Sequence, residues 1–152
     1  RKPFLEITNE LWEKTYALNV TGTFNTAQAI IPHMLDNKYG VIVNIASVAA
    51  KVGGAGNSVH YASSKGAVDT MTMGIAREFA GKGIRCLSIS PGVVDTAFHD
   101  QTPAEVLEGY TNLTPMGRMA NPEEIAETIL FACSDAAPYM TADTIYVSGG
   151  LR

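Results

Sequence analysis

Three short apolar segments, at residues 40–47, 84–90 and 144–147, alternate with longer stretches that have helical patterns. The first segment, Gly-Val-Ile-Val-Asn-Ile-Ala-Ser, is almost continuously apolar, which is typical of a strand covered on both faces of a sheet. The other two segments predict two further strands. This alternation predicts an α/β domain in which about three strands and three main helices form half of a doubly wound parallel sheet.

Three main helices are predicted from helix-start and helix-stop residues. The first begins at a Thr-Asn cap and runs over about residues 9–35. The second covers about residues 59–80 and ends at the glycine-rich turn that follows it. The third starts with Pro122 and continues to about residue 133.

Two segments between these elements are predicted to be loops. Residues 51–58 are too rich in glycine for regular structure, and we expect a loop above the functional site. Residues 97–120 are polar and contain two prolines, with one short helical pattern at about 103–110. A long segment with weak periodicity in a compact domain is typical of a lid, a binding loop or disorder. We interpret it as a substrate lid within a single domain over residues 1–152.

Composition and charge exclude several classes of function. The chain is 46% apolar and 17% charged, against about 25% charged residues in typical soluble domains. The deficit indicates surface that is covered by another part of the protein or by sister subunits. The net charge of −4 and the absence of a basic run argue against nucleic-acid binding. No apolar stretch reaches the roughly 20 residues of a membrane helix.

The cysteines predict neither a metal site nor disulfide bonds. Cys86 and Cys133 are far apart, and neither has a histidine nearby in the sequence, so no zinc site is expected. Free buried thiols are the ordinary state of isolated cysteines. The sequence begins without a secretory leader, and together these features predict a reducing, cytoplasmic location.

Tyr61 and Lys65 form the first candidate for chemistry. On a helix, residues four apart lie on the same face, one turn from each other, whereas the neighbouring His60 should point elsewhere. A cation within about 4–6 Å favours the phenolate and lowers a tyrosine pKa by roughly 1–3 units. The pair therefore predicts a general acid/base for an alcohol or carbonyl oxygen. Such pairs are common on helices, so the surrounding motifs decide the interpretation.

Those motifs resemble the short-chain dehydrogenase/reductase family. Asn19, Ser47, Tyr61 and Lys65 occur in the family's order, and a Pro-Gly-x-x-x-Thr turn follows the second strand from Pro91. The resemblance extends through the start of the third helix to the C-terminal Ser-Gly-Gly. It implies a Rossmann-like fold and an NAD(P)-dependent oxidoreductase. One departure is the spacing of 14 residues between Ser47 and Tyr61, where many relatives have 13.

The resemblance also implies a role for each catalytic candidate. Tyr61 would be the acid/base that moves a proton, and Lys65 would lower its pKa and bind the nicotinamide ribose. Ser47 would hold the substrate oxygen near the phenol. Asn19 would bind a water that links Lys65 to solvent. Asn44, inside the first strand, is interpreted as a structural hydrogen-bonding group.

The turn after the second strand is implied to hold the cofactor. Pro91 and Gly92 would shape the turn, the backbone of Val94 would meet the carboxamide, and Thr96 would offer a hydroxyl nearby. Tyr61 and Lys65 would complete the cofactor contacts. Either NAD or NADP is compatible, because the residues that read the ribose 2′ position lie in the other half of this fold.

The sequence contains no Thr-Gly-x-x-x-Gly-x-Gly turn, which cradles the cofactor pyrophosphate in this family. We therefore expect the chain to be the C-terminal portion of such an enzyme, and inactive by itself. The strand at 40–47 would then lack a neighbour, which leaves unpaired backbone groups at a sheet edge. The family also implies a homodimer or homotetramer through helices 9–35 and 59–80 and the C-terminal strand.

Several functions remain open from the sequence. The first is interconversion of a secondary alcohol and a ketone, with a polyol, sugar or small hydroxy compound as substrate. The second is reduction of a 3-oxoacyl thioester on an acyl carrier protein. The third belongs to another class, namely an inactive fragment or scaffold with an intact set of catalytic residues but no cofactor site.

Overall fold

Three parallel strands form one sheet in the order β1-β2-β3, in a computed structural model that describes residues 1–54, 56–100 and 102–151. The strands are β1 (Gly40–Ile45), β2 (Ile84–Pro91) and β3 (Thr144–Val147). Gly40 lies opposite Ile84, and Ser88 lies opposite Thr144. Parallel neighbours require crossover connections, and helices supply both of them here.

The α-helices are α1 (Asn9–Tyr16), α2 (Gly22–Asp36), α3 (Ala49–Val52), α4 (Val59–Phe79), α5 (Ala104–Leu113) and α6 (Pro122–Cys133). Helices α2 and α4 pack on one face of the sheet, where Ile84 meets Ala27 and Ile31. Helix α6 packs on the other face, where Ile89 meets Ile125 and Ala132. The predicted α/β architecture with a doubly wound parallel sheet is therefore confirmed.

Strand β2 is the centre of the core because it has a paired strand on each side and helices on both faces. Ile84 and the residues from Cys86 to Ser90 have no exposed surface. Asn44 of β1 donates a hydrogen bond to the hydroxyl of Thr72 on α4 at 2.8 Å, which satisfies a buried amide. The structural role predicted for Asn44 is confirmed.

The structure differs from the predicted elements in several places, of which three bear on the site. The first helix is interrupted by a π-helical segment at Ala17–Thr21, where the amide of Gly22 bonds the carbonyl of Ala17 five residues earlier. The predicted loop at 51–58 starts later, because residues 51 and 52 belong to α3. The short helix in the predicted lid is α5, which starts and ends later than the 103–110 pattern suggested. Residues 55, 101 and 152, which fall in the predicted loop, lid and domain, lie outside the described residues.

Strand β1 is at the edge of the sheet. Within the described ranges its only paired strand is β2, and Ile45 at its end is 42% exposed. Its almost continuously apolar sequence is typical of an interior strand. The segment that would cover the second edge of β1 remains a prediction.

Helix α6 is fixed at both ends by charged side chains. Arg85 of β2 donates to the carbonyls of Ala132 at 2.8 Å and of Ser134 at 3.3 Å, which satisfies groups at the helix C-terminus. At the N-terminus, Glu124 completes a capping box with Asn121 and also binds Arg118 through both carboxylate oxygens.

No described helix is both long and apolar enough to span a membrane.

Candidate active site

Ser47 follows β1 in a segment that is still bonded to β2. The amide of Ala46 donates to the carbonyl of Ile89 at 2.8 Å, and the amide of Val48 donates to that of Pro91 at 3.1 Å. The Ser47 hydroxyl accepts the amide of Ala49 at 3.1 Å, as in a helix cap. Ser47 is therefore held at the carboxyl end of the sheet, where open α/β sheets bind their ligands.

Tyr61 lies in the first turn of α4, after a loop with unusual backbone angles. In the described part of residues 53–57, three glycines and Asn57 have φ between 51° and 88°, in the left-handed region. This tight loop returns the chain towards the end of β1. Despite the extra residue between them, the Ser47 hydroxyl lies close enough to the Tyr61 phenol to influence its pKa.

Lys65 extends from the next turn of α4 to the same place. Its Nζ donates to the carbonyl oxygen of Ile45 at 2.7 Å and lies 5.8 Å from the centre of the Tyr61 ring. The structure thus brings three of the four catalytic candidates together at the end of β1. The backbone carbonyl of Ile45 also belongs to this group. A motif made of side chains could not predict it.

The ionisation of Tyr61 differs from the prediction. Burial raises the pKa of the Tyr61 phenol, and the hydrogen bond with Ser47 lowers this pKa to a smaller extent. Burial also lowers the pKa of Lys65, while the negative charge of Asp69 raises it. The net pKa of Tyr61 is therefore raised rather than lowered, and the contribution of Lys65 to this pKa remains a prediction. Burial thus disfavours the charged form of both groups, namely the phenolate of Tyr61 and the ammonium of Lys65.

Asn19 lies in the π-helical segment and contacts α4 rather than Lys65. Its side-chain amide donates to the hydroxyl of Ser64 at 2.9 Å, and that hydroxyl donates to the carbonyl of Tyr61 at 2.7 Å. The carbonyl of Asn19 accepts the hydroxyl of Thr23 at 2.8 Å. Asn19 therefore supports the turn that carries Tyr61. Its water-mediated link to Lys65 remains a prediction.

The candidate cofactor turn continues directly from β2. The amide of Gly92 donates to the carbonyl of Val147 at 3.0 Å, and a Cβ at this position would lie 2.9 Å from the Cα of Ser148. Only glycine fits this approach of two backbones. Pro91, immediately before it, is the last residue of β2, and its carbonyl accepts a hydrogen bond from the amide of Val48. Beyond the turn, Thr96 is exposed to solvent.

Val94 pairs with Ala120 in an isolated parallel bridge. The bridge uses the carbonyl of Val93 and the amide of Asp95, at 2.9 Å each, and neither backbone group of Val94. The amide and carbonyl of Val94 can therefore serve a ligand at the carboxyl edge of the sheet. This geometry fits the backbone role that the family resemblance implies.

Phe98 borders Tyr61, and His60 precedes Tyr61 in the chain. Phe98 of the predicted lid is 73% exposed, and its ring centre lies 6.2 Å from that of Tyr61. His60 is buried, and its Nδ1 has no hydrogen-bond partner within the described chain. Burial lowers the pKa of His60.

Comparison with known proteins gives the family. A family model described as enoyl-(acyl carrier protein) reductase matches residues 1–152. The 3-oxoacyl-(acyl-carrier-protein) reductase FabG of Thermotoga maritima is 37% identical over 142 residues, which cover 93% of this chain and 57% of that protein. The chain belongs to the short-chain dehydrogenase/reductase family. The oxidoreductase character of these relatives supports an enzyme.

Two further members of the short-chain family extend the comparison. Human (3R)-3-hydroxyacyl-CoA dehydrogenase is 36% identical over 148 residues, 97% of this chain and 56% of that protein. A crystal structure of the 3-oxoacyl-(acyl-carrier protein) reductase from Brucella melitensis matches with a TM-score of 0.94 at 34% identity. That match covers 98% of this chain and 56% of the other. The chain therefore spans less than three-fifths of the length of these short-chain relatives.

Two residues near the site were missed by sequence reasoning. Asp69 lies four residues after Lys65, as Lys65 lies four residues after Tyr61. The same helical spacing therefore predicts that Asp69 lies on the helix face of Tyr61 and Lys65. Phe98 had no comparable signal, because its place beside Tyr61 depends on the path of the lid.

Proposed function

We propose that this chain is the catalytic C-terminal part of an NAD(P)-dependent oxidoreductase that interconverts a secondary alcohol and a ketone. One observation carries the proposal: Ser47, Tyr61 and Lys65 converge at the carboxyl end of β1, with Lys65 bonded to the Ile45 carbonyl at 2.7 Å. Acid/base chemistry requires a proton carrier within hydrogen-bonding reach of a positioned oxygen. The hydroxyls of Ser47 and Tyr61 together provide such a place.

Each side chain has a defined task in this proposal. Tyr61 gives a proton from its phenol to the carbonyl oxygen during reduction and takes it back during oxidation. Ser47 binds the same oxygen and keeps it in line with the phenol. Lys65 places a positive charge beside Tyr61, and Asn19 supports the turn through Ser64. NAD or NADP, when bound, supplies or accepts the hydride.

The residues after β2 fit a nicotinamide cofactor. The backbone groups of Val94, which the bridge to Ala120 does not use, match the donor and acceptor of a carboxamide, and Thr96 adds an exposed hydroxyl. Pro91 and Gly92 hold this turn against β3 through the bond from Gly92 to Val147. The ammonium of Lys65 would donate to the ribose hydroxyls.

The substrate class with the best support is a 3-oxoacyl thioester. Two of the relatives compared above are named for this reaction, and a third is named for a 3-hydroxyacyl-CoA. The exposed ring of Phe98 beside Tyr61 offers an apolar contact for an acyl chain.

The test uses the longer protein in which this chain is joined to a Gly-rich cofactor-binding half. We expect oxidation of NADH or NADPH with a 3-oxoacyl thioester and a lower kcat/KM with a sugar ketone. Phe98→Ala should raise KM more for the acyl substrate than for the sugar ketone. Equal kcat/KM values for both substrates would contradict the thioester assignment, and no turnover of any ketone would contradict the oxidoreductase.

The rival from another class is a scaffold with no cofactor site. It predicts that the longer protein does not bind NAD(P)H at all. The oxidoreductase predicts binding by the longer protein and none at micromolar concentrations by residues 1–152, because these lack a pyrophosphate turn. Nicotinamide fluorescence in the same titration separates the two, and micromolar binding by residues 1–152 would show that the turn is dispensable.

We also propose that the protein is a homodimer or homotetramer in the cytoplasm. Helix α2 exposes Phe24 and Ile30, and α4 exposes Val59 and Met73, in the region of the two predicted interface helices. Exposed apolar residues clustered on one surface are typical of an interface. Sedimentation of the longer protein should give two or four copies, and a monomer at micromolar concentration would contradict the assembly.

A further inference from the structure

A carboxylate is held between α4 and the sheet, one helical turn beyond Lys65. The hydroxyl of Ser88 on β2 donates to Oδ1 of Asp69, and the hydroxyl of Thr144 on β3 donates to the same oxygen at 3.2 Å. The two hydroxyl oxygens are themselves 2.8 Å apart. Ser88 is completely buried, and Asp69 is half-buried.

The strand register explains how two hydroxyls reach one carboxylate. Ser88 and Thr144 are directly opposite each other in the parallel β2–β3 pair, so their side chains emerge on the same face of the sheet. That face is covered by α4, which brings Asp69 above them. Both hydrogen bonds go to Oδ1, so they fix the carboxylate without engaging its second oxygen.

Lys65 needs a nearby negative charge. Its ammonium is partly buried and has, among the described residues, one hydrogen bond, to the neutral carbonyl of Ile45. Burying an ammonium favours loss of its proton unless an opposite charge compensates. Burial does lower the pKa of Lys65, and Asp69 is the charge that raises it again.

The other ionisable groups on elements that contact α4 do not supply this charge. Strand β1 contains none. On β2, Arg85 is bonded to the end of α6, and buried Cys86 has a pKa raised to about 12 by burial. Lys51 of α3 lies over the ring of Tyr146, and the charged residues of α1 are exposed, namely Glu10, Glu13 and Lys14.

We propose that Asp69, clamped by Ser88 and Thr144, is a positioning residue that holds Lys65 in its charged form beside Tyr61. This inference rests on the proposed function only for its catalytic consequence. The charge on Lys65 favours the phenolate of Tyr61, so Asp69 acts on the reaction through Lys65 and touches no reacting atom.

The direct test measures the titration of Lys65 itself. The longer protein is labelled with ¹³C at the lysine ε carbon, and the Lys65 signal is identified by its loss in Lys65→Arg. Asp69→Asn keeps an oxygen for both hydroxyls and removes the charge. We expect the Lys65 pKa to fall by roughly half a unit or more. Glu78→Gln is the control, because it removes an exposed carboxylate from the same helix.

A Lys65 titration in Asp69→Asn that matches the Glu78→Gln control would overturn the proposal. If Asp69→Asn does not fold, Ser88→Ala decides the question, because it loosens the carboxylate without removing its charge. We expect a smaller fall of the Lys65 pKa in that variant. No change in a folded Ser88→Ala protein would show that the clamp has no role.

Turnover gives a separate readout. Because Lys65 would lose its proton at a lower pH in Asp69→Asn, the ratio of wild-type to variant rate should rise as the pH increases above neutrality. A shifted Lys65 titration in a protein without turnover would support the electrostatic role of Asp69 and contradict the oxidoreductase alone. An unshifted titration in an active enzyme would contradict the role of Asp69 alone.

Discussion

Tyr61→Phe should lower kcat by about 10²–10⁴-fold with little change in cofactor affinity. The substitution removes the phenolic oxygen beside Ser47 and keeps the ring, whose centre lies 6.2 Å from that of Phe98. The packing of α4 on the sheet is therefore preserved. What is lost is the only group in the proposal that exchanges a proton with the substrate oxygen.

The experiment compares steady-state rates of the longer protein at saturating cofactor. Tyr139→Phe is the matched control, since this tyrosine is 100% exposed and far along the chain from the site. The control should have wild-type activity. If Tyr61→Phe retained more than about a tenth of the wild-type kcat, well inside the range for acid/base catalysis, another group would carry the proton.

Lys65→Met should reduce both turnover and cofactor affinity. The substitution removes the bond to the Ile45 carbonyl and the charge 5.8 Å from the Tyr61 ring centre. Without this charge, the phenolate of Tyr61 is less favourable, so the remaining alcohol oxidation should need a higher pH. The upward shift should be of the order of one unit, at the low end of the effect of a close cation, because burial already opposes ionisation.

Lys65→Arg tests the same idea with the charge retained. A guanidinium is a planar fork in place of a compact ammonium, so ribose contacts should weaken while the pH profile stays near that of the wild type. Lys82→Met serves as the control, because this lysine lies over Phe79 at the far end of α4. An unshifted profile in Lys65→Met would mean that Lys65 only positions the cofactor.

Much of the fold could be predicted from local patterns. The apolar run at 40–47 and the caps around α4 and α6 are local signals, and the structure has a strand and two helices there. The π-helical segment could not be predicted in this way. It depends on a bond between the amide of Gly22 and the carbonyl of Ala17, which competes closely with ordinary helical bonding.

The candidate site was predictable in its side chains but not in its electrostatics. The order of Ser47, Tyr61 and Lys65 identified groups that the structure brings together. The pKa of Tyr61 could not be derived from the sequence, because it depends on how far the phenol is buried. The hydrogen bond from Lys65 to the backbone carbonyl of Ile45 could not be predicted either, because every residue has such a carbonyl.

The π-helical segment also determines how the chain responds to a change in length. Deleting one residue between Tyr16 and Gly22 would allow an uninterrupted α-helix, in which each residue turns by about 100°. Either Asn19 would rotate away from Ser64, or Ala27 and Ile31 would leave the sheet. The extra residue in the π-helical segment therefore allows Asn19 to face Ser64 while Ala27 and Ile31 face the sheet.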